Sequence, residues 1–183
     1  KDNYSVLGKF KVNFLGNNID DFVGEASLFD VALTKDDQTF VFDTLHLNAM
    51  NIDDNRQIEV RNSDISMTMN GRFKLSEVPA TITNYLANYY PAYFTKSTKT
   101  LADQSFTFRA DLTNIDQYLQ LFDKTLSGFD YSSVEAGVDT KLKRFNLKTN
   151  IPQARYGKYS FEDFTLDGSG INDSLKVNAK AGT

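Results

Sequence analysis

The chain has 183 residues, no cysteine, and a formal net charge of −4 from 24 acidic and 20 basic side chains. The length allows a buried core, and the lack of cysteine excludes disulfides and thiolate metal sites. Acidic and basic residues are interspersed without a basic stripe, so we expect no nucleic-acid partner. No apolar run reaches the roughly 18 residues that a bilayer-spanning helix needs.

Strict alternation of apolar and polar residues is the dominant pattern. In 105–112, for example, Phe106 and Phe108 alternate with Ser105, Thr107 and Arg109. This period of two is typical of a strand with one apolar and one polar face. The sequence therefore predicts an all-β fold, mainly antiparallel: a curved, trough-like or incomplete-barrel sheet with two short amphipathic helices packed on it.

The same alternation marks strands along the whole chain. They fall at 10–14, 26–33, 39–50, 58–60, 65–73, 105–112, 134–138, 145–151, 159–166 and 175–179. Within 39–50 the apolar positions change from even numbers (Phe40) to odd numbers (Leu45, Leu47). A β-bulge near Asp43-Thr44 would explain the change.

Two segments have helical spacing instead. Apolar residues recur every three or four positions over 77–90, and Pro91 ends the run. A second, shorter helix is predicted after Thr113, with Ile115, Leu119 and Phe122 on one side.

The order of elements suggests two related units. We expect residues 1–95 to form a β-groove unit ending in the first helix and 103–183 to form a second β-groove unit with the short helix. The alternative is one continuous sheet through both. Because the chain starts at Lys1 without methionine and ends directly after an alternating segment, we expect it to be a piece of a larger protein.

Catalytic and metal-binding arrangements are absent from the sequence pattern. His46 is the sole histidine and lies between two leucines, away from any Gly-x-Ser-x-Gly motif. The pairs Asp20-Asp21, Asp36-Asp37 and Asp53-Asp54 are typical of turns rather than of paired acid-base carboxylates. We therefore expect a non-enzymatic protein without a metal ion or cofactor.

One apolar face is the candidate functional surface. An ordinary sandwich core would use such a face, but a sheet rolled into an open trough would offer it to acyl chains, at ~0.8 kcal/mol for each buried methylene. The predicted lipid-lining residues are Phe10, Val12, Phe14, Phe29, Val31, Leu33, Ile65, Met67, Met69, Phe106 and Phe108.

Short sequence segments add a family resemblance. Residues 14–21 (FLGNNIDD), 24–26 (GEA), 42–49 (FDTLHLNA) and the helix start at 76–79 (SEVP) occur in an order that resembles the TamB (translocation and assembly module) family of AsmA-like envelope proteins. The strand and helix at 105–123 and the segments 154–157 (ARYG) and 164–166 (FTL) resemble the middle region of the same family.

The resemblance implies a role and a location. The family consists of inner-membrane-anchored periplasmic proteins of Gram-negative bacteria, whose repeated strands form a long apolar groove. It is associated with phospholipid transport toward the outer membrane and with outer-membrane biogenesis. The implied partners are phospholipid acyl chains, neighbouring strands of the full-length protein and an outer-membrane barrel assembly protein.

Two other functions stay open. The first is a closed β scaffold or protein-interaction module of an envelope or cell-surface protein, which would have no exposed apolar lining and no unpaired edge strands. The second is a polysaccharide-binding or polysaccharide-hydrolysing domain, for which Tyr89, Tyr90 and Tyr93 would be the aromatic platform.

Overall fold

A computed structural model describes residues 4–35, 38–120, 123–172 and 174–182. In this part of the chain, eleven strands form one open antiparallel sheet that does not close into a barrel. The strands are β1 (Tyr4–Leu15), β2 (Val23–Lys35), β3 (Gln38–Ile52), β4 (Asn55–Arg61), β5 (Ile65–Arg72), β6 (Ser105–Leu112), β7 (Leu126–Ser127), β8 (Ser132–Asp139), β9 (Arg144–Tyr156), β10 (Tyr159–Ile171) and β11 (Ser174–Gly182). The predicted all-β, mainly antiparallel fold is confirmed.

The strands pair almost entirely in chain order. The sheet runs β1-β2-β3-β4-β5-β6-β8-β9-β10-β11, and the two-residue β7 pairs with the end of β9. The β5–β6 ladder, from Ile65↔Leu112 to Arg72↔Ser105, joins the strands before and after the first helix. One sheet therefore runs through both of the predicted units.

Two helices accompany the sheet. A 3-10 turn, Leu75–Glu77, leads into α1 (Val78–Tyr89), close to the predicted 77–90. The second helix, α2 (Asp116–Leu119), is a single turn and shorter than predicted. Phe122, predicted for its apolar side, lies outside the described residues.

The ladders show that the sheet is two-faced from one edge to the other. Residues that pair directly across antiparallel strands point to the same face. A nearly continuous apolar row crosses all ten strands of the main path: Phe14, Gly24, Ala49, Ile58, Met69, Phe108, Ala136, Leu147, Gly168 and Val177.

The opposite face is polar over the same width. Its row, formed by the residue next to the apolar one in each strand, is Asn13, Glu25, Asn48, Glu59, Thr68, Arg109, Glu135, Lys148, Asp167 and Asn178. Arg109 donates to Asp111 and Glu135, each at 2.9 Å. The hydrogen bond with Asp111, and then the two carboxylate charges, raise the pKa of Arg109. On the polar face, Arg109 therefore pairs with two neighbouring carboxylates at the surface.

The predicted bulge near Asp43-Thr44 has a different form. The β2–β3 ladder keeps one register, with Phe29↔Thr44 followed by Val31↔Phe42. The register shift instead separates β1 from β2, between Leu7 and Lys9, opposite Asp30 with its φ of 50°. Asp30 and Asp43 lie opposite each other in this ladder and are not paired, and the register is the same on both sides of them. The two strands therefore exchange their apolar and polar faces at the same point along the sheet.

A register shift of the same kind lies near the other edge of the sheet. Asp163 in β10 has a φ of 48°, the β9–β10 ladder runs past it in one register, and the shift appears against β11, between Glu162 and Thr165. Each edge strand is thus offset from its neighbour at a left-handed aspartate, which increases the local twist of the sheet.

Candidate functional site: the apolar face and helix α1

The structure places all of the predicted lining residues except Phe29 on one face of the sheet. Strand pairing puts Phe10 beside Leu28 and Leu45, Val12 in the row of Met67, and Phe14 in the row of Met69 and Phe108. Ile65 and Phe106 fall at alternate positions of the same strands and share this side.

Val31 and Leu33 join this face through the phase change at Asp30. A Cβ atom at position 8, on the same side of β1 as Phe10, would lie 3.1 Å from Cγ2 of Val31. Leu33 follows two residues later and pairs with Val6 and Phe40. The alternating sequence pattern is therefore preserved across the bulge.

The prediction that Phe29 belongs to the lining is wrong. It pairs with Lys9 and Thr44, and its ring meets the ring of His46 edge-on at 6.3 Å. His46 in turn lies 2.9 Å from the Ser27 hydroxyl. Phe29 precedes the left-handed Asp30, so its side chain stays in the old phase and projects from the polar face.

The apolar face is covered at its centre and open toward β1. Met69 is 8% exposed and Phe106 is 6% exposed, because α1 packs over them with Tyr85 in the core cluster. Phe10 is 76% exposed and Val12 is 54% exposed. A surface of this kind, apolar and continuous with a core, is a typical interaction site.

Helix α1 is held on the sheet by its tyrosines. Tyr85 Oη donates to the backbone oxygen of Asp139 at 2.7 Å, and Tyr89 Oη donates to that of Asn172 at 3.1 Å. Burial raises the pKa of Tyr85 to about 12. A Cβ at Gly170 would come within 2.5 Å of Tyr89 Oη, so glycine there makes room for the tyrosine.

An apolar cavity of about 210 Å³ lies between α1 and the last three strands of the sheet. We call it the apolar cavity. Its walls are Ile82, Tyr85, Leu86, Tyr89, Tyr90, Phe145, Leu147, Leu166, Gly168, Leu175 and Val177. The lining predicted from the sequence contained none of these residues, although Phe145 and Leu147 belong to an alternating segment that signalled the same face.

A second cavity, of about 490 Å³, lies on the other side of α1, near the β8–β9 turn, and we call it the polar cavity. Thr81, Asn84 and Asn88 of α1 contribute to it, as do Lys96 and Lys143. Tyr85 borders both cavities. Polar and apolar environments therefore adjoin across one helix.

The predicted turn aspartates that lie in the described part of the chain have structural roles. Asp20 accepts from the Ser76 backbone N–H at 2.8 Å and from the Ser76 hydroxyl at 2.6 Å, and these hydrogen bonds lower the pKa of Asp20. Asp21 accepts the N–H groups of Asn17 and Asn18. Asp53 lies in the β3–β4 turn with a φ of 53°, and Asp36-Asp37 fall outside the described residues.

In the described part of the chain, histidine and carboxylate side chains form no group of three that would hold a metal ion. Neither helix there combines the length and apolar character needed to cross a membrane.

The fold and its surface define a class: an open, two-faced antiparallel sheet whose apolar side is partly covered by one amphipathic helix. Comparison of the chain with protein-family models, with curated proteins and with solved structures gave no match in any of the three.

Proposed function

We propose that this chain is a non-enzymatic segment of a lipid-carrying groove, with phospholipid acyl chains held against the apolar face. The supporting observation is the nearly continuous apolar row that crosses ten paired strands while the sheet stays open. Acyl chains gain ~0.8 kcal/mol for each methylene removed from water, so such a face needs no catalytic group to retain them.

The wider setting of the proposal comes from the family resemblance. A periplasmic segment of an inner-membrane-anchored protein would continue this sheet through neighbouring strands at the β1 and β11 edges. Both edge strands have one unpaired side among the described residues, as such continuation requires. An outer-membrane barrel assembly protein would be a partner of the full-length protein.

Lipid retention by the purified protein tests the proposal. The chain is expressed in bacteria, purified without detergent, and analysed by native mass spectrometry and lipid extraction. We expect bound phospholipid on the wild type and its loss from Met67→Glu, which places a charge on the apolar face. Thr107→Glu is the matched control, because Thr107 is exposed on the polar face of the neighbouring strand.

A second variant separates lipid loss from unfolding. Val12 is already 54% exposed on the same face, so Val12→Glu changes the lining without opening the core. Lipid-free wild-type protein would contradict the proposal and favour the alternative of a β scaffold or protein-interaction module.

A further inference from the structure

The polar cavity has the composition of an anion site. Lys96 and Lys143 both line it, and neither ammonium group forms an ion pair with any of the described residues. Asp103 is the single acidic residue of the lining, which leaves a net charge of +1. An anion entering this cavity therefore meets two cations for each carboxylate.

Neutral hydrogen-bond donors line the same cavity. The side-chain oxygen of Asn84 accepts the Ser97 N–H at 2.7 Å, so the Asn84 amide nitrogen is the end left to donate. Asn88 follows one turn later on the same side of α1. Ammonium and amide donors in one concave site are suited to phosphate oxygens.

The polar cavity also adjoins the apolar cavity. Tyr85 borders both, with its ring 6.2 Å from that of Phe145 on the apolar side. Asn172 lines the polar cavity and accepts the hydrogen bond of Tyr89, which lines the apolar cavity. An amphiphile with a charged head and an apolar tail has complementary surroundings on the two sides of this tyrosine pair.

We infer that the polar cavity binds the phosphate of an anionic phospholipid, with Lys96 and Lys143 as its cationic contacts and the acyl chain in the apolar cavity. The inference rests on the proposed function and adds a preference of headgroup. A phosphatidylglycerol head brings one negative charge, whereas the choline cation of phosphatidylcholine would be repelled by the same lysines.

Lipid competition in solution tests this inference. The protein is incubated with vesicles of phosphatidylglycerol or of phosphatidylcholine with identical acyl chains, separated from them, and analysed for bound lipid by native mass spectrometry. We expect roughly three- to tenfold more phosphatidylglycerol than phosphatidylcholine at low salt, the range that two partly screened charge pairs supply. The double variant Lys96→Gln/Lys143→Gln should lose this preference and still retain phosphatidylcholine.

The control removes two charges elsewhere in the same segments. Lys99→Gln/Lys141→Gln has the same net charge as the test variant, but neither lysine lines the polar cavity. It should keep the preference. Equal binding of both lipids by the wild type, or an unchanged preference in the test variant, would overturn the headgroup site and leave the proposed function standing.

Two further outcomes are separable. If neither lipid binds to the wild type, the proposed function is wrong and the headgroup inference is overturned with it. A third arm offers soluble glycerol 3-phosphate. If it binds as tightly as phosphatidylglycerol, the polar cavity is a site for a free phosphate compound, and the assignment to a lipid is overturned.

Discussion

Arg56 is buried, with 7% of its surface exposed, and its hydrogen bonds connect the turn after β1 to the sheet. Its guanidinium donates to the backbone oxygens of Ile19, at 3.1 Å, of Phe22, at 3.0 Å, and of Asp20. The guanidinium carbon also lies 4.6 Å from the centroid of the Phe22 ring. Burial lowers the pKa of Arg56, but its ordinary value is so high that it stays charged at neutral pH. This side chain therefore has a structural role.

Replacing Arg56 should destabilise the fold strongly. Arg56→Ala leaves several backbone oxygens without their donor, and we expect a loss of about 2–4 kcal/mol in the free energy of unfolding. Urea denaturation followed by circular dichroism measures the loss. Arg72→Ala, at an exposed position next to Gly71, which pairs with Arg56, should change stability by less than about 0.5 kcal/mol. Similar losses in the two variants would contradict this role for Arg56.

Protonation of Asp20 makes the free energy of unfolding depend on pH. Hydrogen bonds from Ser76 lower its folded-state pKa below the ordinary 3.8. The unfolded chain therefore takes up the proton first, and the stabilisation is complete above the unfolded pKa and is lost as pH falls through the folded pKa. We expect Asp20→Asn to be less stable than wild type at pH 7, and the difference to shrink as pH falls below 3.8, as measured by urea midpoints. A difference that is constant over this range would contradict the linkage.

Helix α1 depends on the sheet more than on its own sequence. It is 12 residues long, below the length at which isolated helices are stable in water. The tyrosine hydrogen bonds to Asp139 and Asn172 fix it over the apolar face. The buried pair of Gln104 Nε2 and Thr81 Oγ1, at 2.6 Å, anchors its first turns.

Removing one hydroxyl should loosen α1 measurably. Tyr85→Phe keeps the ring but leaves the Asp139 oxygen without its donor, so we expect a loss of about 1 kcal/mol. Hydrogen exchange should speed up in α1 and change little in β3 and β4. Tyr93→Phe is the matched control, since Tyr93 is 85% exposed and should lose nothing. Unchanged exchange in Tyr85→Phe would show that packing alone holds the helix.

The strands and helix α1 are easier to predict from the sequence than the bulges within the strands. Alternation predicted the strands and helical spacing predicted α1, because each reflects one apolar face repeated over many residues. The phase change at Asp43 was visible in the sequence, but its partner Asp30 was not, because a bulge is defined by pairing between strands. Phe29 was misplaced for that reason. The apolar cavity was missed because its walls meet only when α1 lies across β9 to β11.

At the scale of the whole molecule, the two edges of the sheet differ from its centre. Central strands pair on both sides, whereas β1 and β11 each pair on one side only among the described residues. Exposed apolar side chains are concentrated on β1, where Leu7 and Phe10 are mostly accessible. Unpaired strands of this length and composition are prone to pair with other chains.

We therefore expect the isolated chain to self-associate through β1. Sedimentation velocity should show a weight-average mass that rises with protein concentration. Phe10→Lys should reduce this rise, because a charge on the exposed edge disfavours contact with a second apolar edge. Ile52→Lys also replaces an exposed apolar side chain with lysine, but at the end of β3, where Ile52 is half exposed, and should leave the association unaltered. Equal effects of the two variants would indicate non-specific apolar association, and a mass independent of concentration in the wild type would show that the β1 edge does not pair.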